Sequence, residues 1–553
     1  MKIMTPRRSR VEVAPKRPLT PRATALRLVT GALAWGLAVA PLPLAAQGGQ
    51  GNRQGANRGS APAAGRDTAG ARRDAARLAA DSLRISEIAQ RPPIVTHHTM
   101  QLKGKELRYT ATTGMLPIRD DETGMADGYV FYVAYTKDGV TDPATRPLSF
   151  IFNGGPGSST VWLHMGAFGP ERVKLLPDGH NAAPPYTYED NPNTLLDQSD
   201  LVFLDPVGTG YSRPAQPKLG TKFWGVNEDI ASVGEFIRLY LTQNKRWSSP
   251  KFLAGESYGT TRAAGLSGYL ADHGIALNGI VLISTILDFS LDAGDNAAIY
   301  YLPSFAAIAW YHKKLPPDLQ RLTVDDVAAQ VARWAGRGYR LALADGSELT
   351  PAERQGVIDT LARFTGLPKD FIGENNLRIP LDRFDAELLR SEHQTVGRLD
   401  GRFTSYAIDD GGESGSFDPS EASIRNSFTP VLNDYVRREL GFDDDMVYYI
   451  LGGGISRWNP QRPGSPTDVT PALERAFAKN PYMKLFVAMG YYDCATPYYA
   501  VEYTLAHLSL DPKARANITT DHFAAGHMVY IDQPSMTKFR SDLTKFIDEA
   551  VKQ

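Results

Sequence analysis

The stretch of this sequence best suited to chemistry is Gly255-Glu256-Ser257-Tyr258-Gly259. It follows a strand-like run, KFLAG (251–255), and leads into TRAAGLSGYLADH, a helical stretch that ends at Gly274. Strand, tight turn and helix together hold a serine clear of a sheet edge, and glycines on either side let strand and helix close on each other. The bare G-x-S-x-G pattern is weak, and an ordinary Gly/Ser turn is the competing reading. Context carries the nucleophile assignment.

A serine hydroxyl attacks poorly at neutral pH unless an imidazole takes its proton and an acid fixes that imidazole's tautomer. The turn around Ser257 resembles the nucleophile elbow of α/β-hydrolases, in which acid and then histidine follow on loops after late strands. MKLFVAMG (483–490) leads into Asp493, and ARANITT (514–520) leads through His522 to His527. Of the two histidines His527 is expected to be the base, because Gly526 before it suits an exposed loop tip. The triad expected is Ser257, Asp493 and His527. Upstream, the strand LSFIF ends in Asn153-Gly154-Gly155-Pro156-Gly157-Ser158-Ser159. Backbone N–H groups of Gly155 and Tyr258 would there form an oxyanion hole. A phosphate cradle fits poorly, since there is no G-x-x-x-x-G-K-[ST] or helix-opening G-x-G-x-x-G and Pro156 lacks an N–H. No H-E-x-x-H or paired Cys/His spacing is present, so neither metal nor cofactor is expected.

These residues need a scaffold. From 94 to 150 alternating strands with turn residues open a sheet, and further runs follow at 201–205, 251–255, 279–285, 483–490 and 514–520, mostly separated by helical patterns. That alternation predicts an α/β fold with a doubly wound, mostly parallel sheet. Between 296 and 460 helical segments dominate, read as a lid inserted between core parts 94–295 and 461–553. Residues 47–75 lack bulky apolar side chains and read as a disordered linker, followed by a short helix over 76–92, ended by Pro92-Pro93.

Composition narrows the function. Hydrophobic residues at 42% and 10% aromatics suffice for a packed core. The net charge of −1 divides unevenly. Residues 1–46 hold eight basic side chains against Glu12, a balance of +7 that leaves −8 for the remainder. No basic, aromatic-interleaved surface suggests nucleic acid as a partner. The basic start and the apolar run Leu28 to Ala46, broken by Pro41 and Pro43, read as a signal peptide, with a membrane anchor as the alternative. The expected location is therefore periplasmic or secreted. Cys494 is the only cysteine, which excludes an internal disulfide and suits a small buried filler.

Taken in order, FNGGPGSS (152–159), FLDPVGTGYS (203–212), GESYG (255–259) and GHMV (526–529) resemble the motifs of the serine carboxypeptidases. The resemblance spans roughly residues 100–545 and implies the α/β-hydrolase fold. It also implies that Asn153 and Glu256 bind the free α-carboxylate of a peptide substrate, with the Gly154 N–H alongside and Met528 beside the site. A Glu next to the nucleophile repels a carboxylate unless protonated, which implies activity at acidic pH. The pattern departs at Ala167, where the family has a second carboxyl, and at Val207-Gly208, which follows Asp205-Pro206 without the family's glutamine. The absent disulfides differ from eukaryotic members and fit an exported bacterial one. Serine carboxypeptidase is the activity the resemblance implies. An esterase or acyltransferase using the same acyl-enzyme, and a catalytically silent peptide-binding protein, stay open. Oligomeric state is not legible.

Overall fold

The computed structural model describes residues 68–408, 412, 417–462 and 464–552. The expected signal peptide (1–46) and linker residues 47–67 lie outside the described residues. Residues 68–75, expected in the linker, instead open helix α1 (Thr68–Ile88), which ends before the anticipated stop at Pro92. The stretch is rich in alanine and arginine, both strong helix formers, so propensity outweighs the lack of bulky side chains.

Among the described residues the central sheet has ten strands. Its main strands are β1 (Ile94–Leu102), β2 (Lys105–Arg119), β3 (Ala126–Lys137), β4 (Leu148–Phe152), β5 (Asp200–Leu204), β6 (Lys251–Ser257), β7 (Gly279–Thr285), β8 (Lys484–Gly490) and β9 (Ile518–Phe523). In space they run β1-β2-β3-β5-β4-β6-β7-β8-β9, and the two-residue strand Arg213–Pro214 pairs with β3. β1 and β2 form a hairpin closed by Lys103 and Gly104, whose φ values of 52° and 76° suit the mirror-image turn that matches strand twist. The first three strands are antiparallel, as is the β3–β5 pairing. From β5 through β9 every pairing is parallel.

Side chains alternate across this sheet with the period of two that strand geometry imposes. Phe150, Phe152, Leu253, Leu282, Leu485 and Val487 pack into one core with helices α2 (Val226–Gln243), α3 (Tyr258–Asp272) and α8 (Thr470–Lys479). Ile151, Phe252, Ala254, Val281, Ile283 and Phe486 pack into the other with α7 (Pro419–Arg438) and α10 (Gln533–Val551). Burial on both faces explains why the parallel strands read as continuous apolar runs rather than alternating ones.

β7 and β8 are direct neighbours, with Gly279 opposite Lys484, although about two hundred residues separate them in sequence. That intervening chain holds α4 (Gly294–Tyr311), α5 (Val324–Trp334), α6 (Pro351–Thr365), α7 and α8, and α9 (Tyr498–His507) follows β8. α6 starts with a reciprocal Thr350/Glu353 capping box and stops at Gly366, whose φ of 71° no β-carbon opposes. The last strand starts later than the run 514–520 suggested. Pro512–Arg515 forms a helical turn capped by Asp511, so the chain becomes extended only at Ile518.

Candidate active site

Ser257 ends β6 and caps α3 with φ 60° and ψ −132°, a conformation an L-residue holds only when its surroundings force it. The closeness of strand and helix supplies that force. A β-carbon on Gly255 would lie 2.2 Å from the Gly259 carbonyl oxygen, and one on Gly259 would lie 2.9 Å from the Phe152 carbonyl oxygen.

Asp493 lies on the loop after β8 and is fully buried. Its Oδ1 accepts the N–H groups of Ala495 (2.7 Å) and Thr496 (3.0 Å), and its Oδ2 accepts the Thr496 hydroxyl at 2.7 Å. The same Oδ2 stands 2.8 Å from His527 Nδ1, leaving Nε2 as the ring nitrogen free for proton transfer. The His527 N–H donates to the Leu399 carbonyl (2.7 Å), and its carbonyl accepts the Ser284 hydroxyl (2.6 Å). Ser284 precedes Thr285, the β7 residue in register with Ser257, so His527 is anchored to the strand beside that serine. Burial disfavours the imidazolium, but the charge and hydrogen bond of Asp493 outweigh it and hold the His527 pKa above its ordinary value.

The glycine loop presses on the elbow. A β-carbon on Gly154 would lie 2.4 Å from the Tyr258 nitrogen, and Gly155 has φ 102°. The N–H groups of Gly155 and Tyr258 donate to no protein acceptor among the described residues, as expected for Tyr258 at the start of a helix. Arg262 locks the arrangement from behind, donating from Nε to Asp229 Oδ2 (2.7 Å) and from Nη1 to the Asn153 carbonyl (2.6 Å). The Tyr258 hydroxyl reaches the same Asp229 oxygen at 3.1 Å.

Asn153 Nδ2 donates to Glu256 Oε1 at 3.1 Å, while its Oδ1 accepts the Leu163 N–H. Burial lifts the Glu256 carboxyl to about 7, against the lowering pull of His527 and of its hydrogen-bonding neighbours. Met528 is buried in the core next to His527. A narrow cavity lined by Thr285, Leu287, Asp292, Thr496, Pro497 and Val501 adjoins Asp493. No cluster of three or more His, Cys, Asp or Glu is poised for a metal among the described residues.

His522 lies on β9, pairs with Glu502 at 3.1 Å and stacks on Tyr491, so its ring is engaged away from Asp493. The environment of Gly526 differs from the exposed tip expected. Gly526 is buried, its N–H donates to Asp400 Oδ2 (3.1 Å), and a β-carbon there would lie 2.4 Å from that of Asp400. Asp400 and Asp532 flank the buried Arg402 at 2.7 and 3.1 Å, a cluster that fixes the histidine loop and that no sequence motif announced. Tyr530, three residues beyond His527 and buried beside Glu256, was equally unannounced.

Strand order, elbow and late-strand loops define a protein of the α/β-hydrolase fold. The crystal structure of Kex1Δp, a prohormone-processing carboxypeptidase from Saccharomyces cerevisiae, shares that fold with a TM-score of 0.50 and 16% identity, covering 79% of this chain and 91% of its own. Residues 104–303 match the family model described as serine carboxypeptidase. Serine carboxypeptidase-like 45 of Arabidopsis thaliana is 27% identical over 181 residues, 31% of this chain and 36% of that protein. Carboxypeptidase Y of Saccharomyces cerevisiae is 27% identical over 165 residues, 29% of this chain and 27% of that protein. The chain thus aligns with about a third of the length of the curated relatives it matches. Over residues 104–303 the chain is therefore similar to the serine carboxypeptidase family. The matched segment contains the glycine loop and the elbow and stops before Asp493 and His527, which the fold brings to them.

Proposed function

We propose that this protein is a serine carboxypeptidase acting on peptides with a free C-terminus. Ser257 Oγ attacks the terminal peptide carbonyl while His527 Nε2 takes its proton. The Gly155 and Tyr258 N–H groups receive the oxyanion, and Asp493 stabilises the imidazolium. His527 then protonates the departing amino acid as the C–N bond breaks. Water, deprotonated by the same imidazole, attacks the acyl-serine ester and releases the shortened peptide. The observation that carries the reading is Glu256, a buried carboxyl adjoining the nucleophile and tied to Asn153 at 3.1 Å. Such a pair, protonated, suits recognition of the substrate's terminal carboxylate alongside the Gly154 N–H, with Met528 behind the base.

An esterase or acyltransferase is the second reading, favoured by Ala167, which is buried and brings no carboxyl to the site. Release of the terminal amino acid from N-blocked dipeptides, as free acids and as amides, separates the two. Ser257-dependent cleavage restricted to free acids is expected. Equal rates on amides, or activity on esters alone, would assign the second reading. The basic and then apolar residues 1–46 support export to the periplasm or beyond it by a cleaved signal peptide, testable by N-terminal sequencing of the mature protein.

A further inference from the structure

Glu256 Oε2 and the Tyr530 hydroxyl are both buried, and neither makes a well-formed hydrogen bond among the described residues, although the Tyr530 hydroxyl lies within reach of both Glu256 and Asn153. Buried polar atoms without partners are uncommon, because each forfeits its hydration with nothing in return. Here two of them come from different elements and meet at one place. Glu256 sits on the elbow. Tyr530 sits on the turn after His527, where its N-terminal neighbours Met528 and Val529 are buried and its ring edge presses on Gly166. A β-carbon on Gly166 would lie 2.7 Å from Tyr530 Cε2, so the glycine makes room for the ring. Asn153 and Glu256 both lie within hydrogen-bonding reach of the Tyr530 hydroxyl, which brings the three polar groups together beside the elbow that carries Ser257.

We propose that Tyr530 is a specificity-determining residue whose hydroxyl donates to the terminal carboxylate of the bound peptide, completing a recognition site with Asn153 and Glu256. The inference rests on the carboxypeptidase reading and deepens it. A phenol remains a donor throughout the pH range in which a carboxyl loses its proton, so this arm of the site works whether or not Glu256 is ionised. His527 and Asp493 are the other titratable groups that act on Glu256, and Asn153 is its neutral neighbour. Ala167, on the turn that follows the glycine loop, contributes no polar atom, which leaves the tyrosine as the second side-chain donor.

The test is Tyr530→Phe, which keeps the ring on Gly166 and removes only the hydroxyl. kcat/KM is measured on one N-blocked dipeptide as free acid, amide and methyl ester. Loss of a hydrogen bond to a charged group predicts about a 10- to 100-fold fall for the free acid, carried mainly by KM. Amide and ester rates should stay within about 2-fold. Binding of the free-acid and amide peptides to the Ser257→Ala protein, with and without Tyr530→Phe, gives the same comparison without turnover. Equal falls on all three substrates, or undiminished preference for the free acid, would overturn the role of Tyr530 while leaving the carboxypeptidase reading intact. Absence of Ser257-dependent cleavage of free acids by the unmodified protein would overturn both.

Discussion

Asp493 and His527 form a buried pair whose chemistry depends on one tautomer. Asp493→Asn preserves the shape but offers an amide where the ring N–H needs an acceptor, so kcat should fall on the order of 10⁴-fold. Single-turnover kinetics on an activated ester would show the loss in acylation. The pH profile carries a second signature. His527 must be neutral to act as base, and Asp493 holds its pKa above the ordinary imidazole value, so activity on esters should rise with pH through a correspondingly raised midpoint. Glu256 is protonated below about 7 and ionised above it, and only the protonated form tolerates a second carboxylate. Free-acid substrates should therefore lose kcat/KM as pH rises through about 7, and esters should not. Glu256→Gln should abolish the alkaline limb. If both substrate types share one profile, Glu256 does not face the carboxylate.

At the scale of elements, the site depends on close approaches that admit no extra atom and on buried charges that must stay paired. Asp229→Ala would strand the Arg262 guanidinium, which is 1% exposed, at a cost of about 3–5 kcal/mol. The denaturant midpoint should drop accordingly, and Asp229→Leu/Arg262→Met should recover much of it, because both charges are then gone. Gly526→Ala would drive a methyl group into Asp400, costing about 1–3 kcal/mol and displacing the loop that carries His527. Activity should fall far more than stability. Much at this scale was legible: β4 and β7 fall where their apolar runs lie, and β5, β6 and β8 within a residue or two. The exceptions have local causes. The run at 514–520 begins with a proline-initiated turn, and the helix at 68–88 extends into a segment whose composition reads as linker.

Over the whole molecule, two cores flank the sheet and hold together without any disulfide. Cys494 is fully buried behind Asp493, and burial pushes its thiol well above the ordinary range. A thiol reagent should leave the native protein unmodified and titrate one group after denaturation. Rapid labelling of the native protein would mean that the loop after β8 opens. No described helix is long and apolar enough to cross a membrane.

The sequence by itself determined the elbow, the glycine loop and the alternation of strand and helix, because each is written in a short stretch whose spacing follows from backbone geometry. Only the tertiary structure decided which histidine meets Asp493, that Gly526 is covered by Asp400, and that Tyr530 turns toward Glu256. Asp493 and His527 lie 34 residues apart and Gly526 and Asp400 lie 126 apart, on irregular loops with no periodicity to read, while Tyr530 leaves such a loop to meet Glu256 on a strand of the other half of the sequence. Their meeting depends on the order of strands in the sheet and on buried charges that must find one another once water is excluded.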